Sequence, residues 1–130
     1  MILALDSSIL IDLEQNNKET VYKLQKIVEK HQSPACIPFI AYFELYYGTI
    51  DRIDKNKEKA LHFLQKFPLL QPTQKTARIL AEMKKKYDTE GISFSLADIF
   101  IASQVKEHGL LLITKDKAFS HITDIEKIIL

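Results

Sequence analysis

Several features are scarce in this 130-residue sequence, and each absence excludes a class of protein. The one cysteine, Cys36, cannot form an intrachain disulfide, and we expect its side chain to pack as a small buried hydrophobe. A protein without disulfides is compatible with a reducing compartment. No apolar run approaches the roughly 20 residues that span a bilayer. Met1 is followed by neither the basic nor the apolar region of a signal peptide. We therefore expect a cytoplasmic protein with no membrane association.

Glycine and excess charge are also scarce. The three glycines are isolated, so there is no glycine-rich phosphate loop. With 18 basic and 17 acidic residues the net charge is +1, which excludes a protein that coats nucleic acid through bulk charge. No serine or cysteine stands in a nucleophile elbow, and the four histidines are predicted to lie on the surface. The length predicts a single domain over residues 1–130.

Strand-like and helix-like segments alternate along the chain. Apolar runs predict strands at 2–5, 35–37, 68–71, 110–113 and 125–130. Helical periodicity, with capping residues and proline breaks, predicts helices at 9–13, 18–31, 39–47, 55–67, 73–87 and 95–109. This alternation is typical of an α/β domain with a mostly parallel sheet.

Two carboxylates follow predicted strands at the point where each strand ends. Asp6 comes after the run Ile2–Leu5, and Asp116 follows Leu110–Ile113 after a short turn. Ligands bind at the carboxyl ends of strands in open α/β sheets. If the two strands are parallel neighbours, Asp6 and Asp116 share one edge of the sheet. Each also has a local explanation, because Asp6 can cap the next helix and Asp116 can stabilise a turn.

Two further carboxylates lie in apolar helical segments. Glu44 is the one acid in the least polar predicted helix, so we expect it to be partly buried. Either a neighbouring tyrosine or lysine or a bound cation would then satisfy its charge. Asp98 stands three residues after Ser95, which is the spacing of a capping box, and the helix dipole also favours an acid there. Its surroundings are apolar, however, which predicts that it points into a site.

A cluster of these acids would need compensation. Two carboxylates about 4 Å apart repel by about 4 kcal/mol at an effective dielectric of about 20. A divalent cation or a shared proton relieves that repulsion. Oxygen ligands without nearby Cys or His select Mg²⁺ or Mn²⁺ over Zn²⁺. The candidate ligands are Asp6, Glu44, Asp98 and Asp116.

The same residues stand in motifs that resemble those of PIN-domain ribonucleases. The segments that carry the resemblance are Leu5–Leu10, Phe43–Gly48, Gly91–Ala102 and Thr114–Phe119. They occur in the family's order and at family-like spacing over essentially the whole chain. The length is also similar to that of VapC-like toxins.

The resemblance implies a three-layer α/β fold with a mostly parallel five-stranded sheet, of order 3-2-1-4-5, flanked by helices. It implies Mg²⁺- or Mn²⁺-dependent endoribonuclease activity, as the toxin of a toxin–antitoxin pair, with RNA as substrate. It also implies a homodimer and a cognate antitoxin partner. In this interpretation Asp6, Asp98 and Asp116 hold the metal ion. Glu44 completes the coordination or positions the attacking water.

Two positions depart from the family pattern. The family commonly has Asn where this sequence has Ser8, and often Asn or Arg where it has Lys115. Ser8 is expected to weaken the support of the metal site, and Lys115 is expected to contact a substrate phosphate. Thr114 is grouped with them as a residue that supports the metal ligands or contacts phosphate. Neither departure removes a carboxylate.

Other functions stay compatible with the sequence. A free-standing RNA-processing PIN nuclease would carry the same residues, and so would a PIN scaffold that only binds RNA or protein. A Mg²⁺-dependent phosphoacceptor domain also places acids at strand ends of a doubly wound sheet. It would need a pair of acids after the first strand, where Asp6 stands alone, and an acceptor Asp ending a central strand, whereas Glu44 is helical.

Overall fold

The computed structural model describes residues 1–130 and contains one four-stranded sheet in which all neighbouring strands are parallel. The strands lie in the order β2-β1-β3-β4, with bounds β1 Leu3–Leu5, β2 Ala35–Cys36, β3 Leu111–Thr114 and β4 Glu126–Ile129. The central strands β1 and β3 are buried along their whole length, as expected for a parallel sheet covered by helices. The predicted α/β class is confirmed.

Six helices flank the sheet. Their bounds are α1 Ser7–Glu14, α2 Lys18–His31, α3 Phe39–Tyr47, α4 Asp54–Leu64, α5 Gln74–Thr89 and α6 Leu96–His108. A 3₁₀ turn, Lys117–His121, follows β3 and leads to the last strand. Helices α1 and α3 pack together, and α6 packs against both α3 and α5.

Local capping signals set most helix ends. The bounds of α2 and α3 are those predicted, and Ser95 caps α6, which ends at Gly109 with φ 60°. That positive φ favours glycine because a side chain would strain the backbone. The prediction of a helix over 55–67 was wrong at both ends, because α4 begins at Asp54 and stops at Leu64.

The prediction of five strands was wrong, because the segment 68–71 does not form one. It contributes a single parallel bridge between Leu69 and Ile37, made by Ile37 N–H to Pro68 O (2.8 Å) and Leu70 N–H to Ile37 O (2.9 Å). The bridge lies at the β2 edge, where the predicted order places the missing strand. Prolines at positions 68 and 72 lack N–H groups, so this short stretch cannot extend the ladder.

The core is continuous and holds the sheet against the helices. Its 23 buried residues include Leu5, Leu112 and Phe119. Cys36 is buried, as predicted, and its thiol donates to the Leu3 carbonyl. None of the helices combines the length and the apolar character that crossing a membrane requires.

Candidate metal centre at the carboxyl edge of the sheet

The two central strands bring their carboxyl ends together. Leu5 pairs with Ile113 in the parallel ladder, and Asp6 N–H donates to the Ile113 carbonyl at 3.2 Å. Asp6 and the turn formed by residues 114–116 therefore leave the sheet side by side. The predicted adjacency of the two strand ends is confirmed, and it arises because the apolar strands β1 and β3 pair at the centre of the sheet.

Asp6 is buried, with 3% of its surface exposed, and its carboxylate has hydrogen-bond donors on both oxygens. Oδ1 accepts from the Ser8 hydroxyl and from the N–H groups of Ser8 (3.0 Å) and Ile9 (3.4 Å). Oδ2 accepts from the Thr114 hydroxyl. Asp6 thus caps α1, as its local explanation predicts, and it also faces the end of β3. Burial raises the pKa of Asp6 against the lowering effect of these hydrogen bonds.

The hydroxyl groups of Ser8 and Thr114 link Asp6 to the 114–116 turn. Ser8 Oγ accepts from Lys115 N–H at 3.0 Å, and Thr114 Oγ1 accepts from Asp116 N–H at 3.0 Å. Each hydroxyl therefore takes a hydrogen bond from the turn and gives its own hydrogen to Asp6. This arrangement fixes the direction in which both hydroxyls donate to the Asp6 carboxylate. That Ser8 and Thr114 support a metal ligand stays a prediction.

Glu44 is more exposed than its apolar helix suggested. The face of α3 around it is open, since Phe43 and Tyr47 are 52% and 68% exposed. Neither a tyrosine nor a lysine holds the carboxylate. Its partner is the hydroxyl of Ser7, the first residue of α1, at 3.1 Å. Partial burial raises the pKa of Glu44, and the Asp6, Asp98 and Asp116 carboxylates raise it further.

Asp98 lies in the first turn of α6 but does not complete a capping box. The Ser95 hydroxyl accepts from Asp98 N–H at 3.1 Å, which is the cap itself and uses no carboxylate. The Asp98 side chain is left half-buried. Burial raises its pKa against the lowering effect of the Ser95 hydroxyl, and the Asp116 and Asp6 carboxylates raise it further.

Asp116 is exposed and caps the 3₁₀ turn, accepting from Ala118 N–H at 2.9 Å. Its local explanation therefore holds, and its charge still acts on Glu44 and Asp98. Five ion pairs of Lys or Arg form in the molecule, and His108 contacts Glu107; none of these contacts includes any of the four predicted ligands. The edge thus collects four acids that repel one another, and no protein cation pairs with any of them.

A protein-family model described as PIN domain matches residues 3–125. This chain belongs to the PIN-domain family. The family predicted from the sequence motifs is therefore confirmed. Ribonuclease VapC3 of Methanocaldococcus jannaschii is a similar protein, 30% identical over 103 residues that cover 79% of this chain and 97% of the relative.

Solved structures of similar fold cover the whole domain. VapBC2 from Rickettsia felis, bound to a DNA fragment from its promoter, superposes with a TM-score of 0.86 at 21% identity, over 100% of this chain and 99% of that one. FitAcB from Neisseria gonorrhoeae gives a TM-score of 0.77 at 25% identity, over 98% and 96% of the two chains. These likenesses establish the arrangement of helices and sheet in the PIN domain.

The donor set of this PIN domain fits a hard divalent cation, although the ligands are not preassembled. All four candidate groups are carboxylates, and such oxygen ligands suit Mg²⁺ or Mn²⁺. No three His, Cys, Asp or Glu side chains are arranged so that they could hold an ion together as they stand. Binding of a metal ion would therefore have to draw the carboxylates toward one another. Their mutual repulsion opposes this movement until a cation is present.

Lys115 does not lie at the cluster. Its Nζ pairs with Asp12 Oδ2 of α1 at 2.7 Å. Sequence reasoning missed Asp12, as well as Ser7, the hydroxyl partner of Glu44. No spacing signal connects these residues with their partners, because each pair joins segments that are distant along the chain.

Proposed function

We propose that this PIN domain is a metal-dependent endoribonuclease that hydrolyses RNA phosphodiester bonds, and that it is the toxin of a toxin–antitoxin pair. The observation that carries the proposal is the set of four carboxylates without a protein cation at the carboxyl edge of the sheet. The name of the similar protein from Methanocaldococcus jannaschii, Ribonuclease VapC3, supports RNA as the substrate.

The four carboxylates have different roles in this proposal. Asp6, Asp98 and Asp116 hold Mg²⁺ or Mn²⁺, and Glu44 completes the coordination or positions the attacking water. A bound divalent ion would lower the pKa of that water and offset the charge that builds on the phosphate. The exposure of Glu44 and Asp116 leaves this edge open to a polymeric substrate.

Neighbouring hydroxyl groups do the positioning. Ser8 and Thr114 orient the two oxygens of Asp6, so that its charge stays directed at the edge of the sheet. Ser7 holds the Glu44 carboxylate against the start of α1 at 3.1 Å. These contacts restrict the side chains before substrate arrives, which lowers the cost of organising the site.

An antitoxin protein is the proposed partner. Solved neighbours described as VapBC or as toxin–antitoxin complexes support this assignment. The test is the gene beside the one encoding this chain, which we expect to encode a short DNA-binding protein. Co-expression of the two should give a stable complex that cleaves RNA more slowly than the free PIN domain. A neighbour that neither binds nor inhibits would favour a free-standing RNA-processing nuclease.

The products of cleavage test the chemistry. No histidine pair accompanies the carboxylates, so water rather than a 2′-hydroxyl is the expected nucleophile. We expect 5′-phosphate and 3′-hydroxyl ends, and complete loss of cleavage in EDTA that added Mn²⁺ restores. End-labelled RNA fragments separated beside size standards would identify the termini. Cyclic 2′,3′-phosphates formed in the presence of EDTA would disprove this mechanism.

Association through α3 is expected as well. An apolar cleft of about 280 Å³ is lined by Phe39, Tyr42, Phe43, Tyr46, Tyr47, Ile50 and Leu69. Exposed apolar surface of this kind commonly marks an interface, and a two-fold homodimer would cover it. Light scattering should give twice the 15.0 kDa mass of one chain. Tyr47→Lys should shift the protein toward monomer.

Tyr22→Lys provides the matched control for this experiment. Tyr22 is also an exposed aromatic residue, 59% accessible, but it lies on α2 and does not line the cleft. The control should leave the dimer intact. A monomeric wild-type protein at high micromolar concentration would contradict the homodimer.

A further inference from the structure

The ion pair between Asp12 and Lys115 lies next to the carboxylate cluster without belonging to it. Asp12 is on α1, and its side chain is only 14% exposed. Its Oδ2 accepts from Lys115 Nζ at 2.7 Å and from the Thr20 hydroxyl of α2 at 2.6 Å. The hydrogen bond from Lys115, followed by the one from Thr20, lowers the pKa of Asp12. Asp12 is thus a charged anchor at the junction of α1 and α2.

Lys115 connects this anchor with the metal-ligand supports through its own backbone. Its N–H donates to Ser8 Oγ at 3.0 Å, and the next N–H, from Asp116, donates to Thr114 Oγ1 at 3.0 Å. Those two hydroxyls are the donors to opposite oxygens of Asp6. The position of the 114–116 turn therefore decides where both hydroxyls point, and the Asp12–Lys115 pair ties that turn to α1.

We propose that Asp12 and Lys115 form a positioning ion pair that sets the metal affinity of the carboxylate cluster. The pair holds the 114–116 turn against α1. This position keeps the Ser8 and Thr114 hydroxyls hydrogen-bonded to Asp6, and it keeps Asp116 next to Asp6. This inference rests on the proposed metal-dependent function. Loss of groups that orient metal ligands typically costs about 10- to 100-fold in metal affinity.

If Lys115 instead contacts the substrate, the two substitutions Lys115→Met and Asp12→Asn should have different effects. If Lys115 contacts a phosphate of RNA, Lys115→Met raises KM for RNA and leaves the metal response unchanged. Asp12→Asn would then release the lysine for substrate and would not raise KM. If the pair positions the turn, both substitutions weaken metal binding in the same way, and the double variant is no worse than either single one.

The experiment compares wild type, Asp12→Asn, Lys115→Met and the double variant. The first readout is the rise in Tm on titration with MnCl₂ alone, which needs no substrate. The second is cleavage of a fluorescent single-stranded RNA of mixed sequence, with KM for RNA and the Mn²⁺ dependence measured separately. Each variant should need about 10- to 100-fold more Mn²⁺ in both assays. The rate at saturating Mn²⁺ and KM for RNA should change little.

Arg52→Met is the matched control. Arg52 pairs with Glu14 at 2.7 Å, also on α1, but this ion pair ties α1 to the segment after α3 and does not touch the 114–116 turn. The control should lose stability without changing the Mn²⁺ response. Lys115→Arg, which keeps the charge, should retain near-normal Mn²⁺ dependence.

The outcomes separate the two levels of the proposal. A wild-type protein whose Tm and RNA cleavage do not respond to Mn²⁺ would overturn the proposed function itself. A wild-type response that Asp12→Asn and Lys115→Met leave unchanged would overturn only the positioning pair. A higher KM for RNA in Lys115→Met alone would assign the lysine to substrate. If Arg52→Met loses as much of the Mn²⁺ response as Asp12→Asn and Lys115→Met do, the loss comes from general destabilisation and the positioning pair is overturned.

Discussion

Asp98→Asn is expected to abolish RNA cleavage and to leave the metal-free protein as stable as wild type or more stable. The hydrogen bond that caps α6 runs from Asp98 N–H to the Ser95 hydroxyl, and Asn at this position keeps that N–H. Burial raises the pKa of Asp98, and the charges of Asp116 and Asp6 raise it further. We expect activity to fall by more than about 100-fold, because loss of a ligand costs more than loss of its supporting partner. Mn²⁺ should raise the Tm of the variant less than that of wild type.

The pH dependence of this stability difference follows from the raised pKa. Where Asp98 is ionised in both states, the folded state carries the cost of burying this charge and of its repulsion from Asp116 and Asp6. As the pH falls through the raised pKa, the folded protein takes up the proton first, so wild type gains stability. The advantage of Asp98→Asn should therefore shrink in acid and vanish below the ordinary value of 3.8. Melting curves of both proteins in EDTA across that range would measure it.

Asp88→Asn is the control for Asp98→Asn. Asp88 is an exposed acid on α5, paired with Lys84 at 3.1 Å. Its neutralisation should change neither cleavage nor the Mn²⁺ response. If Asp98 acts only at the helix start, Asp98→Asn should instead cost about 0.5–1 kcal/mol of unfolding free energy and spare activity. That combination would refute the four-carboxylate site.

Thr114→Val is expected to damage both stability and metal binding. The Thr114 side chain is fully buried, and its hydroxyl joins Asp6 Oδ2 to Asp116 N–H. Valine has nearly the same shape but leaves Asp6 with one donor fewer and the amide without its acceptor. Urea unfolding should show a loss of about 1–3 kcal/mol, since buried polar groups are left unpaired. The Mn²⁺ concentration needed for cleavage should rise about 10- to 100-fold.

Thr114→Ser separates the hydroxyl from the methyl group. It keeps both hydrogen bonds and loses one buried methyl, so we expect a cost of about 1 kcal/mol and near-normal Mn²⁺ dependence. A Thr114→Val protein whose Mn²⁺ dependence equals that of wild type would show that the hydroxyl does not support the metal ligand.

Local chemistry in the sequence determined the class of fold and most of its elements. The helical spacing in 18–31 and the proline and glycine around 39–47 are short-range signals, and both helices have the predicted bounds. Apolar runs also identified the segments that form β1 and β3 as strands. Their parallel pairing places Asp6 at the same edge as the 114–116 turn. The strand ends were predictable because apolar runs and the residues that end them are local signals, whereas the pairing of the two strands came only from the family resemblance.

Only the tertiary structure decided which side chains meet. The Asp12–Lys115 contact joins residues 103 positions apart, and the Ser7–Glu44 contact joins residues 37 apart. No periodicity in either segment encodes its partner. The tertiary structure also decided that the segment 68–71 forms no full strand. Its pairing depends on the length of β2, which has only two residues, as well as on the prolines.

The exposure of Glu44 illustrates the same division. The sequence alone determined that this acid stands in the least polar helix of the chain, which indicated burial. Burial, however, depends on what covers a helix, and in this fold α1 and α6 pack on α3 while its Phe43 and Tyr47 side chains stay open. Residue types and local spacing thus determined the fold class and the strand-end acids. Long-range packing decided the partners and exposure of the charged groups, because those energies arise only between segments brought together by folding.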